Sequence, residues 1–180
     1  MLRPFLGLIA AGLWMLAPTP DAKAELIVLS AVDFVKRCKV LCPNAGTDPI
    51  EDNSAVDRGV LIQGDGGFFF ASVPFPVNGQ RVCRFSLVYH DINANEAIVA
   101  TLNRKRFTID GNAFKAPIVM ATVSSEAGVP NTARKVSTRD ISNPTINKSN
   151  SFYYVELFIE TFNLNVLGVQ IDVRNTCPQP

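Results

Sequence analysis

Phe152-Tyr-Tyr-Val-Glu-Leu-Phe-Ile-Glu-Thr161 is the stretch that decides the fold. Tyr153, Val155, Leu157 and Ile159 fall at every second position, and Glu156 and Glu160 fall between them. Side chains alternate between the two faces of a strand, so this period of two describes a strand with one buried and one mixed face. Phe152, Tyr154 and Phe158 share the second face with the glutamates, which puts aromatic rings on the side away from the core.

The same period recurs on both sides of this segment. In Arg81 to Asp91, Cys83, Phe85, Leu87 and Tyr89 oppose Arg84, Ser86 and His90. In Ala97 to Arg104, Ile98, Ala100 and Leu102 oppose Thr101 and Asn103. In Val166 to Val173, Leu167, Val169, Ile171 and Val173 oppose Gly168, Gln170 and Asp172. Shorter β-type runs cover Leu26 to Leu29, Val60 to Gln63, Phe68 to Val73, Ile118 to Val123 and Lys135 to Thr138. Between them lie Asn44-Ala-Gly46, Gly64-Asp-Gly-Gly67, Asn78-Gly79, Asn93-Ala-Asn95, Asp110-Gly111 and Asn143-Pro144, which supply turn residues. No long helical period is present; Asp33 to Val40 has the spacing of a short helical turn, and residues 43 to 58 read as a polar surface loop. About nine strands with short connections predict an all-β fold, an antiparallel two-sheet sandwich of jelly-roll or Greek-key type, with an up-and-down barrel as the alternative.

The first 24 residues predict export. Arg3 precedes an apolar run, Phe5 to Leu16, and Ala22-Lys23-Ala24 has the small-x-small pattern of a signal-peptide cleavage site. The run is shorter than the roughly 20 residues of a spanning helix, so no membrane insertion is expected. Cleavage after Ala24 leaves residues 25–180 as a single β-sandwich domain, secreted or periplasmic. Without Arg3, Asp21 and Lys23, that part carries 15 basic and 15 acidic residues. It therefore has none of the basic excess of a nucleic-acid binder.

The four cysteines, Cys38, Cys42, Cys83 and Cys177, read as disulfides in an oxidising compartment. Cys38 and Cys42 lack CxxC spacing, and no second cluster completes a zinc site. Cys38–Cys42 with Cys83–Cys177 is the expected pairing, because near neighbours close easily and Cys83 begins a strand while Cys177 follows the last. Pairing either N-terminal cysteine with Cys83 and the other with Cys177 stays open.

Six stretches together resemble a known pattern. They are Leu29-Ser-Ala-Val-Asp-Phe34, Phe70-Ala-Ser-Val-Pro-Phe75, Phe85-Ser-Leu-Val-Tyr-His-Asp91, Met120-Ala-Thr-Val-Ser-Ser125, Phe152-Tyr-Tyr-Val-Glu-Leu157 and Leu167-Gly-Val-Gln-Ile-Asp-Val173. The chain resembles uncharacterised exported bacterial β-sandwich proteins. The resemblance implies a fold and an export route and brings no activity with it.

Residues with chemistry are few. His90, the single histidine, has Asp91 beside it and Ser86 four positions earlier. Along a strand that spacing separates Ser86 from His90 by roughly 13 Å, too far for a nucleophile and its base, and no G-x-S-x-G elbow is present. No catalytic residue is assigned. Asp91, Asn93, Asn95 and Glu96 set oxygen ligands in one short segment, a set suited to calcium or to an ordinary hairpin turn. Gly64-Asp-Gly-Gly67 lacks the Lys and Ser/Thr of a phosphate loop, and no cofactor is expected. In Arg104-Lys105-Arg106, Arg104 and Arg106 suit a phosphate or acidic-glycan contact, or a solvated turn. In Phe68-Phe69-Phe70 alternation turns at least one ring outward. Phe69, Tyr154, Phe158, Arg104 and Arg106 form the candidate binding set. The expected function is a non-catalytic exported sandwich that binds a surface glycan, an envelope component or a protein. A structural subunit of a surface assembly is the first alternative and a hydrolase the second.

Overall fold

The computed structural model describes residues 24–36, 50–52, 60–62, 67–91, 97–107, 116–126, 132–159 and 164–179. The strands are β1 (Glu25–Ser30), β2 (Val35–Lys36), β3 (Ile50–Asp52), β4 (Val60–Ile62), β5 (Gly67–Ser72) and β6 (Arg81–Asp91). They continue with β7 (Ile98–Arg106), β8 (Ile118–Ser124), β9 (Arg134–Thr138), β10 (Ser151–Ile159) and β11 (Leu164–Arg174). One sheet runs β3-β4-β11-β6-β9, with β1 also paired to β11; the other runs β2-β5-β10-β7-β8. Every pairing between strands is antiparallel.

Leaving aside the short β2, β3 and β4, eight strands remain in two layers of four, β1-β11-β6-β9 and β5-β10-β7-β8. This is the strand order of a jelly roll, in which the chain passes back and forth between layers. All nine strands expected from the sequence are present, and β2 and β3 are additional. β3 falls within the stretch expected to be a loop, residues 43 to 58. Of the helical turn expected over Asp33 to Val40, residues 37–40 lie outside the described residues, and the described part is mostly extended. A single 3-10 turn occupies Ala31–Asp33, with the Ser30 N–H donating to Asp33 Oδ2 at 2.7 Å, and Val35–Lys36 is already strand. That turn carries the chain from the first sheet to the second, and Phe34 anchors it in the core.

The core is the space between the layers. Phe85, Leu87 and Tyr89 from β6 meet Ile98, Ala100 and Leu102 from β7, with Val155, Leu157 and Ile159 from β10 and Val169, Ile171 and Val173 from β11. Each is essentially excluded from water, at about 1.5–3 kcal/mol for a large apolar side chain.

Two bulges in the first sheet break the simple alternation. Between Val166 and Gly168 the register of β11 against β6 shifts, leaving Leu167 as the extra residue. Val166 and Val169 therefore both point inward, and Leu167, expected inside, is half-buried. Between Asp172 and Val173 the extra residue is Cys83 on β6, so Val82 and Cys83 are both buried. Cys83 is joined to Cys177 across a separation of 94 residues, as expected. Cys38 and Cys42 lie outside the described residues.

One end of the sandwich is closed by the connection from β9 to β10. Ile146 is buried there; its N–H donates to Gln80 O at 2.8 Å, and Gly79 N–H donates to Ile146 O at 2.9 Å. Asn147 N–H donates to the Tyr153 hydroxyl at 2.7 Å. Asn78-Gly79 makes the turn facing this segment, with Gly79 at φ +84, where a side chain would be strained.

Candidate functional site: the aromatic face of the second sheet

The outer faces of the two layers differ in chemistry. On the first sheet the outward residues of β6, β9 and β11 are mostly polar, among them Arg84, Ser86, Lys135, Ser137, Gln170 and Asp172, and β1 exposes Leu26 and Val28. Ser137 Oγ donates to Ser86 Oγ at 2.9 Å, and Lys135 Nζ to Gln170 Oε1 at 2.6 Å. Arg174 makes a two-pronged contact with Asp172; the hydrogen bonds and then the charge attraction raise the Arg174 pKa. A shallow groove of about 220 Å³ runs over these groups.

The outer face of the second sheet is aromatic. β10 turns Phe152, Tyr154, Glu156 and Phe158 outward, and β5 turns out Phe68, Phe70 and Ser72. Cross-strand register brings the rings together. Phe158 lies opposite Phe68 with ring centroids 4.9 Å apart. Phe70 and Tyr154 are diagonal neighbours at 5.8 Å, Tyr154 and Phe152 are 5.8 Å apart along β10, and Phe152 and Phe107 are 5.3 Å apart. Phe70, Tyr154, Phe152 and Phe107 thus form an unbroken file of four tilted rings. Phe68 is 40% exposed, Phe152 38% and Phe107 56%, against the burial expected of phenylalanine.

A groove of about 600 Å³ follows the Phe70, Tyr154 and Phe152 part of this file, lined also by Val35, Ser72 and Lys105. A second groove of about 270 Å³ adjoins it toward the capped end, between Phe75, Lys148 and Phe152. Ser72, Phe152 and Tyr153 line both. Lys105 is opposite Phe152 in the β7–β10 register and so shares its face. Lys148 Nζ is held by Pro76 O at 3.2 Å.

Of the candidate binding residues, the fold places Tyr154 and Phe158 on this face and corrects two others. Phe69 is 4% exposed and points into the core with Ala71, so Phe68 and Phe70 are the outward members of the triplet. Arg104 is 7% exposed and faces inward, since it continues the parity of Ile98, Ala100 and Leu102; its Nε has no hydrogen-bond partner. Arg106 is exposed at the strand end, and Lys105 is the member of the basic triplet that reaches the rings. The sequence reading left out Phe68, Phe70, Lys105 and Phe107. The parity of Leu102 identifies Lys105 as outward, and Ser72 identifies Phe68 and Phe70, whereas Phe107 lies just past its strand and has no parity to read.

His90 is half-buried on β6 opposite Asn165, and the Ser86 hydroxyl is engaged by Ser137. The side chain of Asp91, with Asn93, Asn95 and Glu96, lies outside the described residues. Among the described residues no group of three or more His, Cys, Asp or Glu side chains could hold a metal, and no helix is long and apolar enough to cross a membrane. The chain matches no protein-family model and no curated protein.

Proposed function

We propose that this protein is an exported, non-catalytic binding module that recognises a glycan with the outer face of its second sheet. The file of four rings, Phe70, Tyr154, Phe152 and Phe107, carries the reading. Rings on a rigid sheet offer large apolar faces at little entropic cost, and the C–H faces of a pyranose bury well against them. Ser72 supplies a polar group beside the rings, as ligand grooves require. The position on paired strands fits a preorganised platform.

Export is part of this reading. It rests on the leader pattern of residues 1–24 and agrees with a formed Cys83–Cys177 bridge. N-terminal sequencing of the protein released by its cell is expected to begin at Glu25, and an intact Met1 in released protein contradicts export.

The direct test is binding. Wild-type protein is expected to be retained on an affinity gel cast with envelope polysaccharide, and Phe152→Ala and Tyr154→Ala to run freely while keeping wild-type circular dichroism. Equal retardation of all three removes the proposed face. The alternative, a structural subunit packing this face against its neighbours, is favoured by exposed Val35 and Val119 on the same sheet. Sedimentation separates the two: a binder remains a small species, and a subunit forms high-mass material that Phe152→Ala dissolves.

A further inference from the structure

We infer that the groove over the first sheet is a second ligand site, which takes the tetrahedral oxyanion of a phosphate or sulfate ester with Arg84 and Lys135 as its anchors. The inference does not depend on the aromatic face, which belongs to the other sheet. Its basis is a supply of unspent hydrogen-bond donors around one groove of about 220 Å³.

Arg84 is the central observation. It is half-buried, and the β6–β11 register sets it opposite Asp172. Asp172 is nonetheless taken by Arg174, whose Nε and Nη2 donate to its carboxylate at 3.0 and 2.9 Å. Among the described residues the Arg84 side chain has neither a hydrogen bond nor an ion pair. Three neighbours keep donors in reserve. Lys135 spends one of its three N–H groups on Gln170 Oε1, and Gln170 retains its amide NH₂. Ser86, 2% exposed, accepts from the Ser137 hydroxyl and retains its own O–H. All four side chains line the groove. Ser86 lies opposite both Gln170 and Ser137 and two residues along β6 from Arg84, so the donors occupy neighbouring rungs of one face.

Two of the described lining residues are acidic. Asp172 is closed off by Arg174, and Glu25 has the parity of Ile27 and Leu29, which turn toward the core. The same sheet shows how a carboxylate is met, by one guanidinium in a two-pronged contact. The groove offers a guanidinium, an ammonium, an amide and a hydroxyl from three adjacent strands, β9, β6 and β11. That arrangement suits three terminal oxygens pointing in different directions better than two in one plane.

Glucose 6-phosphate, glucose 6-sulfate and glucuronate carry three head groups at one position of one sugar. Each is titrated calorimetrically into the purified protein. At least one ester is expected to bind ~10-fold or more tightly than glucuronate, the size of a hydrogen bond to a charged group, and the ratio of the two esters identifies the group the site takes. Arg84→Gln is expected to weaken the ester about tenfold, Arg84→Gln with Lys135→Gln further, and added salt to mimic the loss. Both side chains lie on the outer face, and an unchanged melting temperature verifies folding. Phe152→Ala is expected to leave ester binding unchanged, and a loss there would move the ligand to the aromatic face and overturn the site. Glucuronate bound as tightly as both esters, a double variant that binds like wild type, or no binding of either ester also overturns it.

Discussion

At the scale of single residues, parity on a strand separates structure from surface. Phe69 and Phe70 are neighbours of one type with opposite fates: one fills the core and the other joins the ring file. Phe69→Ala is expected to cost about 3–5 kcal/mol in denaturant unfolding, as for a large aromatic removed from a packed interior. Phe152→Ala should cost about 1 kcal/mol or less, since it removes only partly exposed ring contacts. Equal losses in the two variants would contradict the assigned facing. Arg104 presents the opposite case, a cationic side chain carried inward by its strand with Nε unpaired. A buried N–H donor without a partner is a cost that an apolar chain of similar length does not carry. Arg104→Met is therefore expected to hold or raise the melting temperature, and a marked fall would show that Arg104 has a structural partner. The parity of Arg104 and Lys105 was legible from Ile98, Ala100 and Leu102. That of Phe69 was less so, because three phenylalanines in a row contain no polar residue to mark the outer face and only Ser72 breaks the tie.

At the scale of elements, the bulges decide what a regular pattern cannot. β11 carries alternating apolar residues throughout, and a continuous strand would bury Leu167 in frame with Val169. The bulge at Leu167 instead brings Gly168 against β1, where a Cβ would come within 2.5 Å of Leu29 O. The backbone of Leu29 cannot yield as a flexible side chain does, so Gly168→Ala must push β1 outward. A loss of about 1–3 kcal/mol is expected, typical of overpacking, with faster amide exchange in β1. Unchanged protection of Ile27 and Leu29 would show that the strands do not approach as closely as they do here. A bulge has no single-residue signature; glycine in a strand hints at one, and only the partner strand specifies where it falls.

At the scale of the whole molecule, the Cys83–Cys177 bridge spans a separation of 94 residues and closes a loop that contains six of the eight principal strands wholly or in part. Restricting so long a loop in the unfolded chain is worth about 4 kcal/mol in the loop-entropy account, so Cys83→Ala with Cys177→Ala should lower unfolding stability by about that amount. A loss below about 1 kcal/mol would indicate that the unfolded chain is already compact around this pair. The sequence by itself determined the β class, the positions of nine of the eleven strands and the outward placement of Tyr154 and Phe158, because alternation is a local property that each strand displays on its own. Only the tertiary structure decided the jelly-roll order, the bulges and the file of Phe70, Tyr154, Phe152 and Phe107 with Lys105 beside it. Those depend on which strands lie next to one another and in what register, and residues more than 80 positions apart, such as Phe70 and Tyr154, meet only when β5 is laid against β10.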